Sequence, residues 1–376
     1  MSESDVLVLG AGPAGLATSQ QLERRGIAHR VLERGDQVGH SWAHLYHSLR
    51  LHTGKRMSSL PGLPFPRSYP VFIPRHAFWE YLRDYADRFA LPVETGSPVS
   101  GVRFDHGRWV VTVHGGRGGV EGGGGRSFTA RALVVATGII ANPQVPPFVG
   151  RERFRGRIAH SIEYRQPEPY VGRRVLVVGV GNSGAEIGSE LARAGARVTI
   201  AVRSGANVVP LTLFGVPIQY VSYWVRKLPR PLQELLVAAV GKVTELRRGP
   251  PVLPRPAHSP LEAIPVIGFH LVDAIRAGLV TVAPGVAEFS ETGATFTDGS
   301  HAAFDDVILA TGFAPALAPF GDLIRKDARG FALRHGRVAS ADHPGLYFVG
   351  HNYDATGGLH NINRDARAVA RLVAAG

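Results

Sequence analysis

Two glycine triplets carry the clearest chemistry in this sequence. Gly10, Gly12 and Gly15 follow the apolar run from Asp5 to Leu9 and open a stretch in which Leu16 and Leu22 recur at helical spacing. In that setting the first glycine permits a tight turn, the second lets backbone approach a pyrophosphate, and the third lets helix and strand pack closely. The helix then turns its partially positive N-terminus toward the phosphates. Glu33 closes the next apolar run, where a carboxylate can accept both hydroxyls of an adenosine ribose. The first turn therefore suits a ribose without a phosphate, as in FAD or NAD. Gly179, Gly181 and Gly184 repeat the turn, but the run after their helix ends in Arg203 and Ser204, with no acidic residue. A guanidinium there pairs with a ribose 2′-phosphate, which favours NADPH over NADH.

Composition removes several alternatives. The chain has 376 residues and no cysteine, so a disulfide framework, a Cys-ligated metal and a redox thiol pair are all excluded. No metal site is expected. The formal net charge of +12 is not gathered into a basic run interleaved with aromatics, so no nucleic-acid partner is expected. It reads as a solvated basic surface, which also suits a funnel for phosphate-bearing cofactors.

The elements that must position the triplets follow from pattern. Each triplet sits in a strand, turn, helix, strand sequence, which predicts an α/β fold with two Rossmann-like dinucleotide-binding domains. Apolar runs at 134–135 and 308–309 both lead into Ala-Thr-Gly, at 136–138 and 310–312, and bracket the second triplet. The second domain is therefore predicted to be inserted into the first: 1–165 and 304–376 form one domain and 166–303 the other, with the crossings near 164–172 and 294–304. Strands at 109–113 and 128–135 are joined by a glycine-rich loop, 115–125, read as an exposed hairpin tip. Segment 208–265 holds a helical pattern at 220–246 and a proline-rich run at 249–256, and reads equally as a pocket cover or as a linker. Its apolar stretch, 232–246, is too short and too interrupted by charge to span a bilayer. Residues 1–4 lead straight into a strand, leaving no room for a secretory signal, so a cytoplasmic location is expected.

Between the two triplets, Phe154, Gly156, His160 and Tyr164 fit the pattern Phe-x-Gly-x-x-x-His-x-x-x-Tyr. This resembles the fingerprint of flavin-containing and N-hydroxylating monooxygenases, and it lies just before a second nucleotide motif, as in that family. The resemblance covers almost the whole chain and is nearest to short bacterial flavoproteins and plant YUCCA-type enzymes. Ser41, Trp42 and the stretch through His52 to Lys55 look like the family's flavin-facing segment, 69–86 like the helix after it, Thr311-Gly312-Phe313 like its late Ala-Thr-Gly motif, and 345–350 like its last flavin-domain strand. Baeyer-Villiger relatives typically end the fingerprint in Trp, whereas this chain has Tyr164 and Arg165, which points toward the heteroatom-oxidising branch. His351 and Asn352 stand where the wider disulfide-reductase group usually places Gly-Asp.

The resemblance implies an FAD set of Gly10, Gly12, Pro13, Ala14, Gly15, Glu33, Arg34, Ser41, Trp42, His52, Gly350, Gly358 and Leu359. It implies an NADPH set of Gly179, Gly181, Asn182, Ser183, Gly184, Arg203, Ser204, Thr311 and Gly312. No acid-base triad is implied. NADPH would reduce FAD, dioxygen would add to form a flavin hydroperoxide, and one oxygen would pass to a small organic substrate, with N or S oxidation favoured and 2-oxo acid or carbonyl oxidation allowed. His160 would order the linker and cofactor domain. Oligomerisation is left open. A flavin reductase serving a separate electron carrier, and a non-catalytic NADPH-sensing flavoprotein, are the alternatives; neither would release an oxygenated product. A disulfide reductase shares the doubled fold but needs the cysteine pair this chain lacks.

Overall fold

The structure is a computed structural model that describes residues 2–114, 125–140, 142–352, 354 and 356–376. The fold is mixed α/β with two parallel sheets, each in its own compact unit. The first unit comprises Met1–Asn142, Phe313–Tyr353 and Gly357–Gly376, and the second Pro143–Gly312 with Asp354–Thr356.

In the first unit the central strand Ser2–Leu9 lies between His29–Leu32 and Arg126–Val135, parallel to both. Leu346–Phe348 and Val93–Glu94 extend the parallel sheet outward on either side. Two-residue alternation decides which face each side chain occupies. Val6, Val8, Val31 and Val134 point to one face, where Leu16 and Leu22 of the helix Pro13–Glu23 and Val369, Ala370 and Val373 of the C-terminal helix Gly358–Ala375 cover them. Leu7, Leu9, Leu133 and Val135 point to the other and pack against Trp109, Val111 and Phe348. Full burial of such a side chain contributes about 1.5–3 kcal/mol, so both faces specify register. Arg108–Val113 and Arg126–Val135 pair antiparallel, as the hairpin reading requires, while the tip at 115–124 lies outside the described residues.

The second unit has a five-stranded, wholly parallel sheet in the order Val280–Ala283, Arg197–Ala201, Arg174–Val178, Asp306–Leu309, Arg157–His160. The helix Asn182–Arg193 follows its glycine turn and packs on this sheet. Here the sequence-based boundaries need correction. The sequence pattern assigns strand Asp306–Leu309 to the returning part of the first domain, yet it lies between two strands of the second sheet. Strand Arg157–His160, expected in the first domain, is that sheet's edge. The chain passes between units at 142/143 and 312/313, not at 165/166 and 303/304. The predicted crossing at 294–304 instead builds an antiparallel sheet of Val286–Phe289, Gly293–Phe296 and His301–Ala303 within the second unit. The helical pattern at 220–246 is two helices, Ile218–Val225 and Arg230–Arg248, because Pro229 and Pro231 cannot continue one ladder. Among the described residues, no helix is long and apolar enough to cross a membrane.

Candidate functional site

Both glycine turns are built the same way. Gly10 N–H donates to Leu32 O and Gly179 N–H to Ala201 O, so each turn is anchored to the neighbouring strand. Both first glycines have φ near +100°, and a Cβ on either would lie 2.6 Å from a carbonyl oxygen, Ala136 O for Gly10 and Ala310 O for Gly179. The two Ala-Thr-Gly echoes are therefore the walls behind the two turns, one in each unit. The third glycines are tighter still: a Cβ on Gly15 would sit 1.8 Å from Gly10 O, and one on Gly184 2.1 Å from Gly179 O. A Cβ on either middle glycine, Gly12 or Gly181, would meet no atom within 4 Å among the described residues.

Each middle glycine is also the N-cap of a helix whose first turn has no side-chain cap. The leading N–H groups of both helices, from Ala14 and from Asn182 onward, thus carry partial positive charge with no side-chain cap, which suits a pyrophosphate. FAD and NADPH therefore fit what is present on grounds of shape and charge. Residues Pro13, Ala14, Asn182 and Ser183 form the leading turns.

In the first unit, Glu33 is 7 % exposed, and its carboxylate accepts from Ala11 N–H at 2.7 Å and from Gly35 N–H at 2.8 Å. The first bond reaches the glycine turn and the second the loop just after Glu33, so the carboxylate is held in place with lone pairs to spare for ribose hydroxyls. Arg34 follows it and is exposed. Gly39 N–H donates to Ala11 O, which ties the short helix His40–Ala43, carrying Ser41 and Trp42, to the same turn. Arg75 closes the far end of that helix by donating to the carbonyls of Trp42 and Ala43, and Trp42 meets Phe78 edge-on at 4.6 Å. A Cβ on Gly350 would contact Ala14 and Ile362, and one on Gly357 would meet Thr53. Gly350, the His52–Thr53 segment and the start of the C-terminal helix at Gly358 and Leu359 are thereby gathered around the turn. That third long helix also begins without a side-chain cap.

Asp365, wholly buried, escaped sequence reasoning. It accepts from Gly350 N–H and from the Asn352 side-chain amide, and pairs with Arg337 Nε at 2.5 Å. Arg337 in turn reaches Asn361, and Arg334 binds the Asn352 side chain and His351 O. The network fixes the chain just beyond Gly350. Its signal was present as Asn361 and Asp365, a polar pair at i, i+4 on an otherwise apolar helix face. Burial raises the Asp365 pKa, with Arg337 opposing, while burial first and the Arg334 charge second push His351 down to about 3.

In the second unit, Arg203 and Ser204 stand exposed at the end of the strand Arg197–Ala201, where the sequence placed them. Gly285 lies against Arg203, so that a Cβ there would meet Arg203 Cβ and Cγ at 3.5 Å. Two members of the NADPH set have side chains committed elsewhere. Asn182 donates to Pro265 O and accepts from Ile267 N–H, so it holds segment 265–267 and offers only backbone to a phosphate. The Thr311 hydroxyl donates to Gln144 O.

The fingerprint residues form a clamp inside this unit. Phe154 packs on Phe289 at 5.9 Å, and Gly156 is so close to Asp305 O that a Cβ would lie at 2.4 Å. His160 Nε2 donates to Gly312 O at 3.1 Å and its Nδ1 accepts from Ile162 N–H, which defines the neutral tautomer; burial lowers its pKa. Tyr164 donates to Glu190 Oε2 at 2.8 Å on the turn helix, and burial, reinforced by that carboxylate, raises its pKa. The clamp joins an edge strand, the Ala-Thr-Gly wall and the helix behind Gly181. Removing the hydroxyl in Tyr164→Phe is expected to lower stability by about 1.5–3 kcal/mol, the usual contribution of a hydrogen bond to a charged group. Chemical denaturation of wild type and variant measures it; an unchanged midpoint would show that the bond does not hold the helix.

A family model described as flavin-binding monooxygenase-like matches residues 3–333. The indole-3-pyruvate monooxygenase YUCCA1 of Oryza sativa subsp. japonica is 35% identical over 382 residues, covering 97% of this chain and 90% of that protein. Among solved structures, a flavin-containing monooxygenase from Stenotrophomonas maltophilia is similar with a TM-score of 0.75 and 28% identity, covering 100% of this chain and 99% of that one. An oxidised steroid monooxygenase bound to NADP shares the fold, with a TM-score of 0.74 and 20% identity over 99% of this chain and 85% of that one.

Proposed function

Because this chain belongs to the flavin-binding monooxygenase-like family, we propose that its first unit is a Rossmann-like FAD domain and that its second is a Rossmann-like NADPH domain inserted within it. The enzyme is an FAD- and NADPH-dependent monooxygenase. One observation carries the division of labour: two turns of the same build are followed by opposite charges, the Glu33 carboxylate after the first and the Arg203 guanidinium after the second. Glu33 accepts the adenosine ribose hydroxyls of FAD, while Ala14, Gly15 and the open face of Gly12 receive its pyrophosphate. Gly350, Gly358 and Leu359 close the far side of that site, held by Asp365 and Arg337. Gly181 and the leading N–H groups of its helix receive the second pyrophosphate, and Arg203 and Ser204 take the 2′-phosphate. When bound, the flavin supplies hydride acceptance and dioxygen activation, chemistry that no side chain provides. His160 keeps the Ala-Thr-Gly wall in place and exchanges no proton with substrate.

For substrate, the full-length likeness to indole-3-pyruvate monooxygenases supports an aryl 2-oxo acid over the N or S oxidation expected from Tyr164 and Arg165. The balanced reaction consumes one dioxygen and one NADPH with a proton. The bond between keto carbon and carboxyl carbon breaks, releasing CO2; one oxygen atom stays in the new carboxylic acid and the other leaves as water. A panel of aryl 2-oxo acids, amines, sulfides and ketones tests this, with NADPH oxidation and product followed together. The aryl 2-oxo acids are expected to give the highest kcat/KM. Turnover of amines or sulfides alone would overturn the substrate class and leave the cofactor assignments standing.

A further inference from the structure

Helix Arg230–Arg248 turns an apolar stripe to solvent. None of its 19 residues is buried, and Leu232, Leu235, Leu236, Val243 and Leu246 are 47, 64, 41, 45 and 86% exposed. At 3.6 residues per turn these five and Ala239 share an arc of about 100°. Lys242 and Arg247 border that arc, one on each edge, both exposed and in no ion pair among the described residues. The helix's two acids face the other way and are engaged, Glu234 with Arg230 at 2.8 Å and Glu245 with Arg255 at 2.5 Å. Two of the helix's four cations thus border the apolar stripe, while both acids lie behind it with Arg230 and Arg248, which are engaged in ion pairs there. Just upstream, Trp224 is also exposed, with the Lys227 ammonium 4.1 Å from its ring.

We propose that this face docks on an anionic phospholipid surface, with the helix lying in the interface plane. Its leucines enter the boundary between headgroups and acyl chains, and Lys242 and Arg247 reach the lipid phosphates from either side. The helix is not long and apolar enough to cross the bilayer, so it lies on the membrane and does not span it. The charge pattern favours lipid over a second copy of this chain. Two such stripes packed together would bring Lys242 and Arg247 to the edges of the joint with no carboxylate on that face to answer them.

The test is co-sedimentation of the FAD-loaded enzyme with vesicles of phosphatidylcholine alone and of phosphatidylcholine with one quarter phosphatidylglycerol. Binding is expected only to the anionic vesicles, and is expected to fall as salt is raised. Leu235→Glu with Leu246→Glu is expected to abolish it; both positions face solvent, so the fold is retained, as FAD absorbance and the unfolding midpoint will report. Lys242→Ala with Arg247→Ala is expected to weaken it about 30-fold, each cation near the surface contributing roughly a fivefold factor. NADPH oxidation in solution is expected to be unchanged in all four substitutions, so failure here is distinguishable from failure of the monooxygenase reading. No binding to anionic vesicles, or binding that the two leucine substitutions leave intact, would overturn the proposal. So would a concentration-dependent dimer in sedimentation velocity, dispersed by the leucine substitutions, in a protein that ignores vesicles; that result would assign the face to a second copy.

Discussion

Glu33→Ala is expected to yield a nearly colourless protein that takes up FAD at least about a hundredfold more weakly than wild type. Two effects add. The ribose loses two hydrogen bonds to a charged acceptor, at about 1.5–3 kcal/mol each. The turn also loses the acceptor that fixes Ala11 and Gly35, leaving two buried N–H groups that cost about 1–3 kcal/mol apiece if nothing replaces it. The substitution should therefore also lower the unfolding midpoint of the apoprotein, which separates disruption of the turn from loss of the ribose contact. Absorbance of the purified protein gives FAD occupancy, and fluorescence titration of apoprotein gives the affinity. Full occupancy in the variant would remove Glu33 from the FAD site and with it the assignment of the first unit.

The second large effect is expected at Arg203. In Arg203→Ala the KM for NADPH should rise about ten- to a hundredfold, the factor given by about 1.5–3 kcal/mol for a charge-assisted contact, while the KM for NADH should hardly move. Arg203→Glu should go further, since a carboxylate in that place repels the 2′-phosphate. Arg203 is exposed, so the NADPH preference of the unaltered enzyme should also shrink as salt is raised. Anaerobic reduction with each nucleotide measures this without a substrate. Equal use of both nucleotides by the unaltered enzyme would refute the role.

The contrast between what the sequence disclosed and what it hid has a physical basis. A glycine turn writes itself locally: a strand, three small residues at fixed spacing and a helix leave no other way for backbone to pass Ala136 O or Ala310 O. The turns, their helices and the exposed Arg203 were legible for that reason. The unit boundaries were not, because the partnership of Arg157–His160 with Asp306–Leu309 joins residues almost 150 apart in the chain, and no local pattern records such pairing. The first Ala-Thr-Gly is legible as an echo of the second, but its place behind Gly10 depends on the same kind of distant register. Asn182 shows a subtler limit. Its position at the helix start marked it for a phosphate, yet the side chain is turned to Pro265 and Ile267, a segment whose approach the turn motif does not encode.

The fingerprint also changes meaning in the structure. Family likeness implies an ordering role for His160 alone, whereas Phe154, Gly156, His160 and Tyr164 each make a packing or hydrogen-bonding contact within the second unit. The His160 and Tyr164 bonds meet the wall and the helix of the turn that receives NADPH in this account. The pattern is thus a positional device, and its spacing reflects a strand that carries His160 and a turn that brings Tyr164 to Glu190.

Electrons from NADPH are spent on inserting one atom of dioxygen into a substrate. The most direct measurement is turnover of an aryl 2-oxo acid under labelled dioxygen, with NADPH consumption, peroxide release and the mass of the acid product recorded in one reaction. One NADPH per product, one labelled oxygen in that product and little peroxide is the result expected. NADPH oxidation that yields only peroxide or a reduced external carrier, with no labelled product across the whole panel of 2-oxo acids, ketones, amines and sulfides, would contradict it and favour a flavin reductase.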